Sequence, residues 1–303
     1  FNQTFNQPQS CFGFCNDVPS SNHGHRFHHS NKMQKEDGLK AAEDKKKKHE
    51  MDDLLSEALN ALTFEEREDH QEIIHGVNDK IVEDDTFLDR AMPELESHLA
   101  NTKTGSLYEI AESMDPAYVS ARAFRVMFLR ANDYDAKATA DQMIRFFEMK
   151  HQLFGTEKLV KDIAIEDLDE DDIDCLKASF VQLLGRDRSG RQVFVHFGGL
   201  FGDLLSSKSL QTCLRVQYYV IMKALQSEET QLRGTVSIWY AIGSLKVKTH
   251  KGFFEIFTCA RALPQKKAAY HLCTDEMRQF TFCSLIVKMM KCNMRARMRL
   301  HFG

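Results

Sequence analysis

The stretch Gly234-Thr-Val-Ser-Ile-Trp-Tyr-Ala-Ile-Gly243 decides the fold. It is short, β-branched and aromatic, is bounded by glycine at both ends and carries the only tryptophan of the chain, the pattern of a central strand. Side chains alternate along a strand, so Thr235, Ser237 and Trp239 share one face and Val236, Ile238 and Tyr240 the other. Two hydroxyls and an indole on one side admit two readings. Either the strand is ordinary core whose hydroxyls bond locally, or this face lines a site.

Working outward, a helix over about 250–263 (Phe253, Phe254, Ile256, Phe257, Ala260) ends at Pro264, and the strand Ala268-Ala-Tyr-His-Leu-Cys273 follows. Upstream, Phe180-Val-Gln-Leu-Leu184 and Gln192-Val-Phe-Val-His-Phe197 read as strands flanking a polar Gly-Arg turn, hence a hairpin. A long amphipathic helix is expected over about 208–226, and a helical stretch from about 276 to 302. Strands separated by helices imply parallel pairs with crossovers. The expectation for 166–303 is an α/β lobe with a mixed, largely parallel sheet.

Residues 51–165 read as an all-helical module. Leu54, Leu55, Ala58, Leu59 and Leu62 recur at helical spacing, Thr63 and Glu66 form a capping box, and Leu88, Met92, Leu95 and Leu99 mark a further helix. Asp115-Pro116 starts another helix. The turn Asn132-Asp-Tyr134 separates a Phe124/Met127/Phe128 stripe from a helix that Asp135 caps and Gly155 stops. Residues 1–50 are rich in Asn, Gln, Ser, His and Lys without periodicity and read as an unstructured polar and basic tail. Neither Cys11 and Cys15 with the nearby histidines nor the acidic run 166–174 has the spacing of a zinc or calcium site, so no metal is expected.

The 303 residues are 43% hydrophobic and 28% charged, with a net charge of -4. That is enough apolar content for a sizeable core, and the charge balance is not that of a nucleic-acid binder. No apolar run reaches the length of a membrane span. Five cysteines (Cys175, Cys213, Cys259, Cys283, Cys292) sit inside apolar helical patterns, as reduced thiols do in a cytoplasmic protein. The chain begins on Phe and ends on Gly303 directly after a helical pattern, which reads as a fragment.

No Gly-x-Ser-x-Gly, P-loop, Gly-x-Gly-x-x-Gly or His-Glu-x-x-His motif is present, and nothing in the spacing selects a Cys–His pair, so no catalytic set and no cofactor is expected. Gly198-Gly199-Leu-Phe-Gly202 before a helix has the composition of a phosphate cradle and equally of a plain loop. The C-terminal segment is more distinctive. After Glu276 it carries no acid, and Lys288, Lys291, Arg297 and Arg299 alternate with Phe280, Phe282, Ile286, Met290 and other apolar residues. A basic, Met-rich amphipathic helix suits an anionic membrane surface, or else a core helix with a basic solvent face.

Taken in order, these motifs resemble the CRAL-TRIO (Sec14-like) lipid-binding family. The run Phe124-Arg-Val-Met-Phe-Leu-Arg-Ala-Asn-Asp-Tyr-Asp-Ala-Lys-Ala138 is similar to the Phe-Leu-Arg-Ala segment of its helical N-terminal part. Asp187-Arg-Ser-Gly-Arg-Gln-Val193 is similar to its Asp-x-x-Gly-Arg-Pro-Val hairpin, with Gln192 in place of Pro. The order of Gly234–Gly243, Leu263-Pro264 and Tyr270-His271 follows the family, and Leu-His-Phe-Gly303 resembles the segment before its last strand. The resemblance covers about 118–303.

It implies a non-catalytic lobe whose sheet floors an apolar pocket for one lipid or isoprenoid-like molecule, exchanged at an anionic membrane surface. The lid would be Phe280 to Met290. Lipid contacts would come from Thr235, Ser237, Trp239, Phe194, Tyr270, Phe280, Phe282, Ile286 and Met290, and headgroup or membrane contacts from Lys288, Lys291, Arg297 and Arg299. The sequence departs from the family where Leu183 and Phe194 replace tyrosines, Gln265 replaces an acid and Tyr240 replaces Asp. The alternative is a scaffold whose helical module recruits a protein partner.

Overall fold

The computed structural model describes residues 26–75, 83–102, 104–241, 247–274, 284, 287, 288, 290 and 292–302. The chain divides into two compact units, Phe1–Lys46 and Lys47–Gly303. The second takes in both the helical module and the α/β lobe.

The polar tail was expected to lack structure up to residue 50. Instead, Arg26–Asn60 is a continuous helix, α1. Its Lys-, Glu- and Ala-rich sequence consists of good helix formers, which a search for apolar periodicity overlooks. Residues 1–25, with Cys11 and Cys15, lie outside the described part. The end of α1 buries Met51 and Ala58, the face marked by helical spacing. Thr63 and Glu66 cap α2 (Phe64–His75) reciprocally, with Thr63 N donating to Glu66 Oε2 at 2.7 Å and Glu66 N to Thr63 Oγ1 at 3.2 Å.

Next come α3 (Asp85–Thr102), α4 (Leu107–Met114), α5 (Pro116–Ser120), α6 (Arg122–Ala131) and α7 (Ala136–Phe154). Asp115 and Asp135 accept from Tyr118 N at 3.0 Å and Ala138 N at 2.9 Å, the two caps expected of them. Phe128 of α6 meets Phe146 of α7 edge to face at 5.2 Å, and Phe146 meets its neighbour Phe147 in the same way at 5.4 Å, contacts that add to their area burial.

The lobe follows as α8 (Glu170–Ala178), β1 (Val181–Arg186), β2 (Gln192–Phe197), α9 (Gly198–Ser207), α10 (Leu210–Ala224), α11 (Glu228–Arg233), β3 (Thr235–Ala241), α12 (Val247–Ala262), β4 (Lys267–Thr274), α13 (Cys292–Ala296) and β5 (Met298–Phe302). The sheet order is β1-β2-β3-β4-β5. Only the hairpin pair β1–β2 is antiparallel, and the other three pairs are parallel, so this is the mixed, largely parallel sheet expected, with β3 at its centre.

Two expectations need correction. The glycines at 198, 199 and 202 lie within helix α9, not in a loop before it. Residues 298–302 are an edge strand, not the end of a helix. Met298, Leu300 and Phe302 alternate with Arg299 and His301, a strand period that the preceding Arg-Ala-Arg run disguises.

The helical module meets the lobe at several places, among them Arg191 Nη1 donating to the Ile73 and Ile74 carbonyls of α2, and its most extensive polar contact is at the turn after α6. Arg130, at the end of α6, donates from Nε and Nη2 to Glu83 at 2.8 and 2.6 Å, from Nη2 to Glu228 at 2.7 Å and from Nη1 to Gln231 at 2.6 Å. Glu228 and Gln231 belong to α11, which leads into β3. Gly234 makes that junction: its φ is +80°, and a Cβ there would lie 2.9 Å from the Lys266 carbonyl. From α7, Gln142 Nε2 donates to the Leu263 carbonyl at 2.8 Å, and Asp133 pairs with Lys266 at 2.9 Å, so the same turn also holds the start of β4.

Arg130→Met should destabilise the protein by about 3 kcal/mol in urea unfolding, because the largely buried Glu83 loses its counter-ion. Arg130 holds the Glu83 carboxyl below the usual glutamate value. A depressed folded pKa contributes stability that is complete above the unfolded value and lost as pH falls through the folded one. The gap between wild type and variant should therefore narrow in acid. A gap constant across that range would mean the ion pair is not its source.

Candidate functional site

Cross-strand register sets the inner, helix-covered face of the sheet. Phe194, Ser237, Tyr270 and Met298 form one row across four strands, and His196, Trp239, Leu272 and Leu300 the next. Five expected contact residues (Thr235, Ser237, Trp239, Phe194 and Tyr270) are thus brought together on one face. All but the half-buried Trp239 are buried. Met290 is buried too. Phe280, Phe282, Ile286 and Lys291 lie outside the described residues.

Helices α9 and α12 cover this face. They approach closely at Gly252, where a Cβ would lie 2.8 Å from the Phe201 ring. His196 stacks on Trp239, with centroids 4.2 Å apart and planes 7° from parallel. Beside this stack Phe180, Phe197, Gly198, Phe201 and Ile256 pack so closely that no space is left for a water-sized sphere.

The polar groups on the face divide into satisfied and unsatisfied. Thr235 Oγ1 donates to the Lys266 carbonyl at 3.1 Å, so the first of the two expected headgroup hydroxyls is occupied locally. Among the described residues, Tyr270 Oη, His196 Nδ1 and Arg297 Nε are buried with no hydrogen-bond partner. Burial, with the Lys267 charge adding to it, brings the His196 pKa down to about 3, so the ring is neutral. Burial likewise raises the Tyr270 phenol and lowers Arg297. Arg297 anchors through Nη1, which donates to the Lys267 carbonyl at 2.9 Å.

Lys267 completes the group and was missed from the sequence. Thr235 pairs with Lys267 and Val236 with Ala269, so Ala268 is the extra residue of a β-bulge. A regular strand would put Lys267 and Tyr270 on opposite faces. The bulge returns Lys267 to the inner face, where Nζ lies 5.4 Å from the Tyr270 ring centroid. Among the described residues no carboxylate pairs with it. Burial lowers its pKa to about 8. A local signal existed in the two alanines before Tyr270, small residues next to a strand start, but no pattern in the chain marks a bulge there.

Other titratable groups serve the scaffold. Lys150 is buried, its pKa lowered to about 7 by desolvation, and donates to the Lys161 carbonyl at 2.6 Å and to Tyr118 Oη at 3.1 Å, tying α7 to the loop after it. The Sγ atoms of Cys175 and Cys213 lie 3.9 Å apart between α8 and α10, and Cys259 meets Met149 Sδ at 3.2 Å. Of the expected basic contacts, Lys288 is exposed. Arg299 pairs in register with His271, not with Tyr270, and so stands off the inner face.

No family model matches the chain, and no curated protein is a significant match to it. Among the described residues, no helix is long and apolar enough to cross a membrane, and no group of histidine, cysteine and acidic side chains could hold a metal ion.

The depressed Lys267 pKa gives a signed expectation. Between about 8 and the ordinary lysine value the unfolded chain binds more protons than the folded one, so stability rises with pH across that window. Lys267→Met should be more stable than wild type near neutrality and lack this alkaline rise in denaturant midpoints. An identical pH profile in the two proteins would place the ammonium in water.

Proposed function

We propose that the chain is a non-catalytic carrier of one amphipathic lipid, the function associated with the CRAL-TRIO family that its motifs resemble, working at the surface of a membrane. The observation that carries this reading is the composition of the inner face. An otherwise apolar surface holds Tyr270 Oη, Arg297 Nε and His196 Nδ1 buried without partners among the described residues, beside the half-buried Lys267, with which no described carboxylate pairs. Buried polar groups are nearly always satisfied, and each one left bare costs about 1–3 kcal/mol. A bound headgroup with acceptor oxygens would remove that cost, while Phe194, Trp239 and Met290 offer apolar surface to its chains. Ser237, in the same row as Tyr270, supplies a hydroxyl.

The space beside Trp239 favours a second reading. It is too tight to admit a water-sized sphere, against the roughly 300–1,000 Å³ of ordinary ligand pockets. A lobe that never opens further would be a plain core, and the protein a scaffold that acts through its helical module.

Native mass spectrometry of the full chain purified from cells, before and after incubation with phosphatidylcholine vesicles containing phosphatidic acid, separates the two. The carrier should retain one lipid per chain. Lys267→Met and Tyr270→Phe should each weaken retention of the anionic lipid by about tenfold, the value of one hydrogen bond to a charged group. A chain that co-purifies with no lipid and takes none from vesicles is the scaffold.

A further inference from the structure

A second site lies at the sheet edge, in a groove between the end of α1 and the edge strand β5 that borders the inner face at Met298 and Leu300. Its volume is about 650 Å³, within the range of ligand pockets, and Lys48, Asp52 and Leu55 on one wall face Arg295, Arg299 and His301 on the other. Three permanent cations and an imidazole thus meet one carboxylate.

The arginines are anchored but not neutralised. Arg295 donates from Nε to the Met290 carbonyl and from Nη2 to the Lys288 carbonyl, both at 2.9 Å. Arg299 Nη1 donates to the Ala296 and Met298 carbonyls at 3.4 and 2.9 Å. Neither forms an ion pair among the described residues. A guanidinium carries five N–H donors, and among the described residues Arg295 Nη1 and Arg299 Nε and Nη2 make no hydrogen bond. His301 is held in place by His271, whose Nδ1 lies 2.8 Å from His301 Nε2 with the rings stacked 5.1 Å apart. That bond leaves the other nitrogen of His301 to the groove.

Backbone carbonyls fix the arginines without cancelling their charge, so the site is ready for an anion. Several fixed donors on a fork geometry suit the multiple oxygens and double charge of phosphate better than a single carboxylate.

We propose that this groove is a phosphate-binding site, taking a phosphate ester either from a soluble polyphosphate or from a lipid headgroup at the membrane surface. The groove shares no charged side chain with the inner face, so this assignment and the carrier reading can fail separately.

The test uses the full chain with inositol hexakisphosphate as soluble probe and phosphatidylcholine vesicles doped with phosphatidylinositol bisphosphate as membrane probe. Titration should detect binding to at least one of them, and which one binds identifies the source of the phosphate. The double variant Arg295→Gln/Arg299→Gln should lose about tenfold or more in affinity. Arg188→Gln removes one charge from the exposed hairpin turn and should change little.

Because Arg295 also anchors the segment before α13, a measurement on the wild type stands beside the variant. The bound probe should shield His301 from diethyl pyrocarbonate and leave the exposed His75 reactive. Absence of binding to both probes, an equal loss in Arg188→Gln, or an unshielded His301 would each overturn the assignment.

Discussion

The fold depends on one buried guanidinium. Arg130 ends α6 and satisfies Glu83, Glu228 and Gln231 together. Tyr134 Oη adds a 2.5 Å bond to the same Glu83 carboxylate. Through Glu228 and Gln231 the charge fixes α11, and through Gly234 it fixes the start of β3. The adjoining turn reaches β4 by Asp133 and Gln142. Two helices of the N-terminal module therefore set where the two central parallel strands begin. Removing a partner from such a network costs more than the contact itself, because a charge is stranded in a poorly solvated place. Together with the packing of α7 on α10 and α12 and of α2 on β4, this network joins the module and the lobe in one compact unit.

The same junction creates the chemistry of the inner face. The bulge at Ala268 lies where β4 leaves the clamp, and it turns Lys267 inward beside Tyr270. A regular pairing would have sent that ammonium to the opposite face. The sheet thus holds a cation, a phenol and a guanidinium edge next to aromatic core, with Asp133 already committed to Lys266. Such an arrangement is costly for an empty fold and economical for one that receives an anion, since desolvated donors bind a ligand oxygen more strongly than exposed ones.

Much of this was legible in the chain. The hairpin and β3 were readable because period-2 alternation, β-branching and bounding glycines agree. The helices of the module were readable because Thr63, Asp115 and Asp135 cap them by short-range bonds that sequence spacing reports directly. What escaped was either long-range or masked by a neighbouring pattern. The partners of Arg130 lie 47 and about 100 residues away, and no local pattern pairs them. The Met298–Phe302 strand follows a basic helical run that hid its period. The polar half of α1 lacks the apolar stripe by which helices are recognised. Lys267 depends on one extra residue in a register, which only the paired strand reveals.

The size of the space beside Trp239 determines what carrying a lipid would require. The His196–Trp239 stack and the Phe180–Phe201 contact, at 5.4 Å, close the volume between β2, β3, α9 and α12. Gly252 lets α12 approach α9 closely, so the covering layer is tight on this side. A lipid could enter only if that layer moved, and the aromatic contacts it lost would have to be replaced by contacts with acyl chain. The exchange can be nearly balanced in free energy, because one apolar surface replaces another and packing density is preserved. Lys267, Tyr270 and Arg297 do not line this space, so only a ligand that extended past it to the start of β4 could satisfy them and tip the balance. Selectivity in such a carrier would reside in the few donors at the start of β4, and capacity in the aromatic layer that has to part.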